Sequence, residues 1–390
     1  MIGIVGASLA GLTVARTLRS LGVTEPIILV GAEPWLPYDR PPLSKEVITA
    51  GDESIAPDPG WATLLTPGEA DEFDWRLGVA ATGLAPGPVI HTDHGDIPAD
   101  TVVLATGARA RRLPGDVLAG VHTLRTLDDA RRLADDLHDA RDLVVIGAGF
   151  IGAEIASTAA AMGRRVTIVE RAADPGAAAL GPRLAAWALD LHRRAGVDVV
   201  VDAGVADLEA VDGRVRAVRL ADGTTIPADV VVVGVGAVAE TDWAANSPIA
   251  IDGGFLTDAA GATSMPGVWA AGDCARVTAP DAGHAVPHQH WSAAIESARA
   301  VAHAVAGHPR PAPRAPYVWS EQHGHRIQIC GTMPRGVDPT VVEGSVDDDA
   351  FVAVAGDPDR PDAVVAVDMP RPFTRLRKAM DARVAGAVRI

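Results

Sequence analysis

The sequence is poor in cysteine, in lysine and in net positive charge, and it has no long unbroken apolar run. Its two cysteines, Cys274 and Cys330, form neither a CxxC nor a CxxxxC motif in 390 residues. They therefore make no metal site and read as small buried core residues of a chain kept in a reducing, cytoplasmic compartment. Acidic residues outnumber basic ones, 50 to 34, for a formal net charge of −16. Such a chain does not have nucleic acid or an anionic membrane as a general partner, although a local basic face remains open to it. No segment has the uninterrupted apolar length of a membrane span. The opening MIGIVGASLAGLTVARTLRSLG has the apolar run and small residues of a signal peptide. It lacks the basic n-region, and its regular glycines mark it as a strand and the start of a helix. Low complexity is missing too, because the 40 glycines and 29 prolines are scattered as turn punctuation.

Lysine occurs only at positions 45 and 378; every other basic residue is arginine. Lys45 lies in YDRPPLSKE, residues 38–46, where Pro41 and Pro42, with Pro37 just before, lock the backbone. The segment is expected to be neither helix nor strand.

What is present is an ordinary globular composition, 48% hydrophobic and 22% charged, long enough for two or three domains. Residues 2–5 form a short apolar strand, GASLAG follows, then an amphipathic helix to about Leu21 and the apolar run PIILVGAE, ending at Glu33. This strand–turn–helix–strand unit fits a dinucleotide turn through Gly6, Leu9, Ala10 and Gly11, with Ser8 in place of the middle glycine. The glycines let the backbone approach a pyrophosphate at the helix N-terminus. A second copy, DLVVIGAGFIGAEIASTAAAMGRRVTIVE, carries Gly147, Gly149, Phe150, Ile151 and Gly152. Glu170 closes its second strand, where a carboxylate binds adenosine ribose hydroxyls and repels a 2′-phosphate, favouring NAD(H) over NADP(H).

Two dinucleotide units predict one bound flavin and one exchangeable nicotinamide. TSMPGVWAAGDCA, with Gly272 and Asp273, has the form T-x-x-P-G-x-x-A-A-G-D of flavoproteins with two dinucleotides, its aspartate suited to the ribityl chain. TVVLATGARARRLP (Ala105, Thr106, Gly107, Arg109) and the strand at Val230–Gly234 mark where the chain leaves and re-enters the first domain. The expected fold is α/β. Two Rossmann-like, three-layer dinucleotide domains, a discontinuous FAD domain at 1–112 and 236–312 and a nicotinamide domain at 113–235, precede a small α/β C-terminal domain at 313–390. The Pro-rich GHPRPAPRAP opens that third domain. The runs RIQICG, FVAVAG and AVVAVDM predict a small sheet, and RPFTRLRKAMDARV predicts a helix.

With PYDRPPLSKE, HQHWSAAIESARAVAHAVAG and YVWSEQHGHRIQICG, the sequence resembles, over essentially its whole length, the FAD-dependent ferredoxin/rubredoxin reductase branch of the glutathione-reductase-like pyridine nucleotide oxidoreductases. The resemblance implies that Arg40 and Lys45 contact flavin, with Lys45 by the N5/O4 edge and Glu154 as its paired acid. It implies Asp273 as ribityl ligand, His290 and Trp291 near the flavin ring, and Trp319 packed by the isoalloxazine on the partner-docking side. Gln289 and Ser8 depart from the family pattern.

The implied function is hydride transfer from NADH to FAD, then single electrons to a 2Fe–2S ferredoxin or rubredoxin feeding an oxygenase, from a monomer or homodimer. The flavin does the redox chemistry while the protein positions and tunes it. Disulfide reductases of the superfamily carry a dithiol beside the flavin, and residues 36–48 hold no cysteine. The electrons are therefore expected to leave for an outside carrier. Arg310, Arg314, Arg371, Arg375, Arg377 and Lys378 are either an acidic partner's dock or ordinary solvated charge. An NADH oxidase or diaphorase, and an NADH-sensing flavoprotein of apoptosis-inducing-factor type, stand as alternatives.

Overall fold

The structure, a computed structural model, describes residues 1–50, 62–115, 117–278 and 290–387. Two compact units emerge. The first takes Met1–Asp39, Ala56–Arg109 and Ala237–Pro313; the second takes Arg40–Ile55, Ala110–Gly236 and Arg314–Ile390.

The first unit is built on a five-stranded parallel sheet in the order Val268–Ala270, Thr101–Leu104, Ile2–Val5, Ile27–Gly31 and Asp74–Leu77. Its inner strands are near-continuous apolar runs because both faces are covered. Side chains alternate between those faces. Ile2, Ile4, Ile27, Leu29 and Val103 pack with helices Leu9–Ser20 and Trp291–Val305. Val5, Val102, Leu104 and Val268 pack with Phe255 and with Leu84 and Ile90 of the antiparallel strands Ala81–Ala85, Val89–Thr92 and Gly95–Pro98.

The second unit repeats the plan. Its parallel sheet runs Asp198–Val200, Arg165–Val169, Asp142–Ile146, Val230–Val233, Val121–His122. Val144, Ile146, Val169, Val231 and Val233 face Val215, Val218 and Leu220 of the antiparallel strands Val205–Val211, Arg214–Leu220 and Thr225–Pro227. Helix Phe150–Ala161 packs on Asp142–Ile146 and Arg165–Val169.

The expected C-terminal sheet is also present, five antiparallel strands in the order Tyr317–Gln322, His325–Gly331, Arg360–Val367, Ala350–Asp357, Thr340–Ser345. Ile327, Ile329, Phe351 and Val365 pack against Leu184, Trp187 and Leu191 of helix Pro182–Arg194. Cys330, Val352, Val364 and Ala366 pack with Phe373 and Met380 of helix Pro370–Ala387. His323 and Gly324, at φ 50° and 82°, make the tight turn between the first two strands. Left-handed geometry at both central positions suits the strand twist of a two-residue hairpin.

The proline-rich segment departs from expectation. Pro41–Ser44 is a 3₁₀ turn and Glu46–Ala50 a short helix. Prolines in a first turn lose no hydrogen bond, since their missing N–H groups have no partner within the turn. Among the described residues no helix is long and apolar enough to cross a membrane.

Candidate active site

The two glycine turns share one geometry. Gly6 has φ 120° and Gly147 φ 104°. A Cβ on Gly6 would lie 2.1 Å from the Ala105 carbonyl oxygen, and on Gly147 2.4 Å from that of Gly234. Each turn is thus pressed onto the end of a neighbouring strand, and Ala105 and Gly234 are the residues singled out there from sequence. Gly11 and Gly152 sit where a Cβ would come within 1.9 Å and 2.2 Å of the Gly6 and Gly147 oxygens. The middle position is different. Ser8 has an extended φ of −138° and Gly149 a φ of −70°, so neither conformation demands glycine. A Cβ on Gly149 would meet nothing within 4 Å.

Helices Leu9–Ser20 and Phe150–Ala161 have no side-chain cap and no acid in the first turn. Helix Leu127–Asp139, by contrast, is closed by a Thr126–Asp129 capping box with two acids in its first turn. The uncapped N–H groups and the positive dipole end leave the first two helices chemically suited to receive an anion. Ala10 is buried, Leu9 and Phe150 half-buried, and Ile151 stands 48% exposed beside its turn, a large apolar side chain in the open.

Two carboxylates flank these turns. Glu170 accepts from the backbone N–H of Ala148 at 2.9 Å and of Ala172 at 2.7 Å, which ties it to the second glycine turn. Glu33 accepts from the Tyr38 hydroxyl at 2.5 Å. Thr106, Gly107 and Arg109 all meet Glu240. The Thr106 hydroxyl donates to its carbonyl at 2.6 Å, its N–H donates to the Gly107 oxygen at 2.9 Å, and Arg109 pairs with its carboxylate at 3.1 Å and with Asp242 at 2.6 Å. Gly272 and Asp273 form a 3₁₀ turn after strand Val268–Ala270, where the Gly272 N–H donates to Ser297 Oγ at 2.9 Å. His290 caps helix Trp291–Val305, its Nδ1 accepting from the Ala293 N–H, and Trp291 Nε1 donates to Asp39 Oδ1 at 2.9 Å. Gln289 lies outside the described residues.

Lys45 and Glu154 come together from positions 109 residues apart. Lys45 Nζ stands 2.8 Å from Glu154 Oε2, with the side chains only 15% and 9% exposed. Nζ also donates to the Pro41 carbonyl at 3.1 Å. Ser44 Oγ donates to the same Oε2 at 2.6 Å, while Oε1 accepts from Ser320 Oγ at 2.8 Å and from the Glu321 N–H at 3.1 Å. Four donors thus satisfy a buried carboxylate, and the largely buried ammonium is paired. Arg40 donates to the Arg125 carbonyl. Trp319 is stacked on Tyr317 at 5.6 Å between centroids and 21° between planes. Arg377 lies over the Tyr317 ring at 3.8 Å and Arg375 pairs with Glu343 at 3.4 Å, while Arg371 and Lys378 are exposed on the same helix. Cys274 and Cys330 are both buried. Burial pushes each thiol up, to about 11 for Cys330, so neither offers a ready thiolate.

A family profile described as pyridine nucleotide-disulphide oxidoreductase matches residues 2–298, and one described as reductase C-terminal matches 317–388. The chain belongs to the pyridine nucleotide-disulphide oxidoreductase family. This oxidoreductase is 39% identical over 388 residues to the chlorobenzene dioxygenase ferredoxin reductase component of Cupriavidus sp. (strain PS12), covering 98% of this chain and 93% of the relative. It is 40% identical over 350 residues to the biphenyl dioxygenase system ferredoxin–NAD(+) reductase component of Paraburkholderia xenovorans (strain LB400), covering 88% and 83%. The solved covalent putidaredoxin reductase–putidaredoxin complex matches at TM-score 0.88 and 31% identity, over 98% of this chain and 93% of that one.

Sequence reasoning did not single out Ser44, Ser320 or the Glu321 N–H around Glu154 in this oxidoreductase, nor Ser297 behind Gly272. Ser44 and Ser320 sit inside motifs quoted for their neighbours Lys45 and Trp319, but small serines carry no pattern of their own.

Proposed function

We propose that the chain is an NADH-dependent ferredoxin reductase, taking a hydride from NADH onto FAD and passing electrons one at a time to a 2Fe–2S ferredoxin that feeds an oxygenase. The duplicated turn carries this reading: two open helix N-termini, each behind a glycine pressed onto a strand end. Both turns fit a pyrophosphate, and the void at Gly149 leaves room for one. The ferredoxin reductase names of the relatives support the choice of acceptor.

FAD, when bound, supplies an acceptor that takes two electrons as hydride and can release them singly. Residues 1–112 and 236–312 hold it, with the Gly6–Gly11 turn at the pyrophosphate, Glu33 at the ribose and Asp273 at the ribityl chain. Residues 113–235 hold NADH, with the Gly147–Gly152 turn at the pyrophosphate and Glu170 on the adenosine ribose. Lys45 Nζ brings positive charge to the flavin, and Glu154 keeps that charge affordable in a buried place. Both thiols being buried, no internal dithiol takes the electrons onward. Residues 313–390 present the ferredoxin face, with exposed Arg371 and Lys378 meeting an acidic partner. The protein works in the cytoplasm, as a monomer or homodimer.

Anaerobic stopped-flow with NADH tests this. The expected result is bleaching of the flavin band, with cytochrome c reduced only when a 2Fe–2S ferredoxin is added. Lys45→Ala is expected to slow the bleaching while FAD stays bound. Cytochrome c reduction that ignores added ferredoxin, or a flavin that NADH does not bleach, would refute the assignment.

A further inference from the structure

The Lys45–Glu154 pair is held from an unexpected direction. Glu154 rides on helix Phe150–Ala161, yet its Oε1 is engaged wholly by the first strand of the C-terminal sheet, through Ser320 Oγ at 2.8 Å and the Glu321 N–H at 3.1 Å. Ser320 has no exposed surface and Gln322 is 3% exposed. Gln322 Nε2 donates to Ser320 Oγ at 3.0 Å. A hydroxyl has one proton. With Gln322 donating into it, Ser320 directs that proton at Glu154. The donor direction therefore runs Gln322 to Ser320 to Glu154, and Oε2 is left facing Ser44 and Lys45.

We propose that Ser320, oriented by Gln322, is a positioning residue that fixes the Glu154 carboxylate, so that the C-terminal sheet sets where the Lys45 ammonium stands. The link to flavin reduction rests on the function proposed above; the link from Ser320 to Lys45 does not. Without Ser320 one of the two donors on Oε1 is gone, the carboxylate can turn, and Oε2 no longer has a fixed place beside Nζ.

The scarcity of lysine supplies a direct readout. Protein labelled with ¹³Cε-lysine gives two side-chain signals, Lys45 and Lys378. In Ser320→Ala the Lys45 signal is expected to move while that of Lys378 stays put. In the holoenzyme, flavin reduction by NADH is expected to slow about tenfold, the scale of one lost hydrogen bond to a charge. In a Lys45→Ala background the same substitution is expected to slow it no further. An unmoved Lys45 signal, or equal slowing with and without Lys45, would overturn the proposal. A wild-type flavin that NADH does not reduce would instead overturn the functional assignment, while the lysine signals still decide the positioning role. Should Ser320→Ala fail to fold, Gln322→Met frees the same hydroxyl and is expected to move the Lys45 signal in the same sense, and no movement there refutes the proposal equally.

Discussion

Replacing Glu154 by glutamine tests the candidate site without needing any cofactor. The substitution is nearly isosteric and removes one charge. Its amide then faces two donor pairs, Ser44 Oγ with Lys45 Nζ on one side and Ser320 Oγ with the Glu321 N–H on the other. With the oxygen turned to Lys45, the NH₂ group opposes the Glu321 N–H, which cannot rotate away. With the amide flipped, it opposes a buried ammonium. Breaking a buried pair by removing one partner costs about 3–5 kcal/mol, most of it from the charge left behind. For a unit of this size about 2–4 °C of melting temperature accompanies each kcal/mol, so a fall of roughly 10 °C is expected by far-UV circular dichroism. Lys45→Met is expected to cost less, about 1–2 kcal/mol, because Glu154 keeps three of its four donors. The double variant Lys45→Met/Glu154→Gln is expected to recover much of the loss, since deleting both charges of a buried pair leaves none uncompensated. Wild-type melting in Glu154→Gln, or a double variant no better than Glu154→Gln alone, would show that the pair is not held as described.

A second expectation concerns acid. Hydrogen bonds from Arg16 hold the Glu69 carboxyl at about 2 against its ordinary 4.5, with burial opposing and Thr66 assisting. A depressed carboxyl stabilises fully above pH 4.5 and loses that contribution as pH falls towards 2. The shift corresponds to about 3 kcal/mol at most, and about 1–2 kcal/mol once screening at the part-exposed Arg16 is allowed for, so Arg16→Ala should raise the midpoint of acid unfolding. A third expectation separates ligand-facing from packing glycines. Gly149→Ala adds a Cβ that touches nothing and should leave melting within about 1 kcal/mol of wild type while raising the KM for NADH severalfold. Gly152→Ala drives a Cβ to 2.2 Å from the Gly147 oxygen and should lower the melting temperature outright. Equal behaviour of the two variants would contradict the geometry.

The duplicated strand–turn–helix pattern was legible because its causes are local. Gly6 and Gly147 must adopt left-handed φ within a few residues of an apolar strand, and such demands leave fixed spacings. The C-terminal sheet was legible because both its faces are covered, so its central strands are short apolar runs, FVAVAG and AVVAVDM, set off by turns. The four-donor shell of Glu154 was not. Ser44, Ser320 and Glu321 reach it from distant chain segments, and a backbone N–H has no sequence signature at all. The prolines of residues 41–42 misled in the other direction. They forbid a helix interior, but the 3₁₀ turn uses them at its start. The pair of buried His192 and half-buried His323, 2.8 Å apart, also went unread. Burial first, then the charge of His323, pushes His192 down to about 4, and nothing in a lone histidine announces such a neighbour.

The order of strands in the first parallel sheet carries a consequence for synthesis. Thr101–Leu104 pairs on one side with Ile2–Val5, which is already made when it emerges, and on the other with Val268–Ala270, which is not. The second partner leaves the ribosome about 160 residues later, some 8–30 s at ordinary elongation rates of about 5–20 residues per second. Throughout that interval TVVL presents an uncharged, unpaired edge, the kind of strand that pairs with a neighbouring nascent chain. The half of the molecule that begins first is completed only after the inserted segment has been made, so its yield is expected to depend on how well that edge is shielded while it waits.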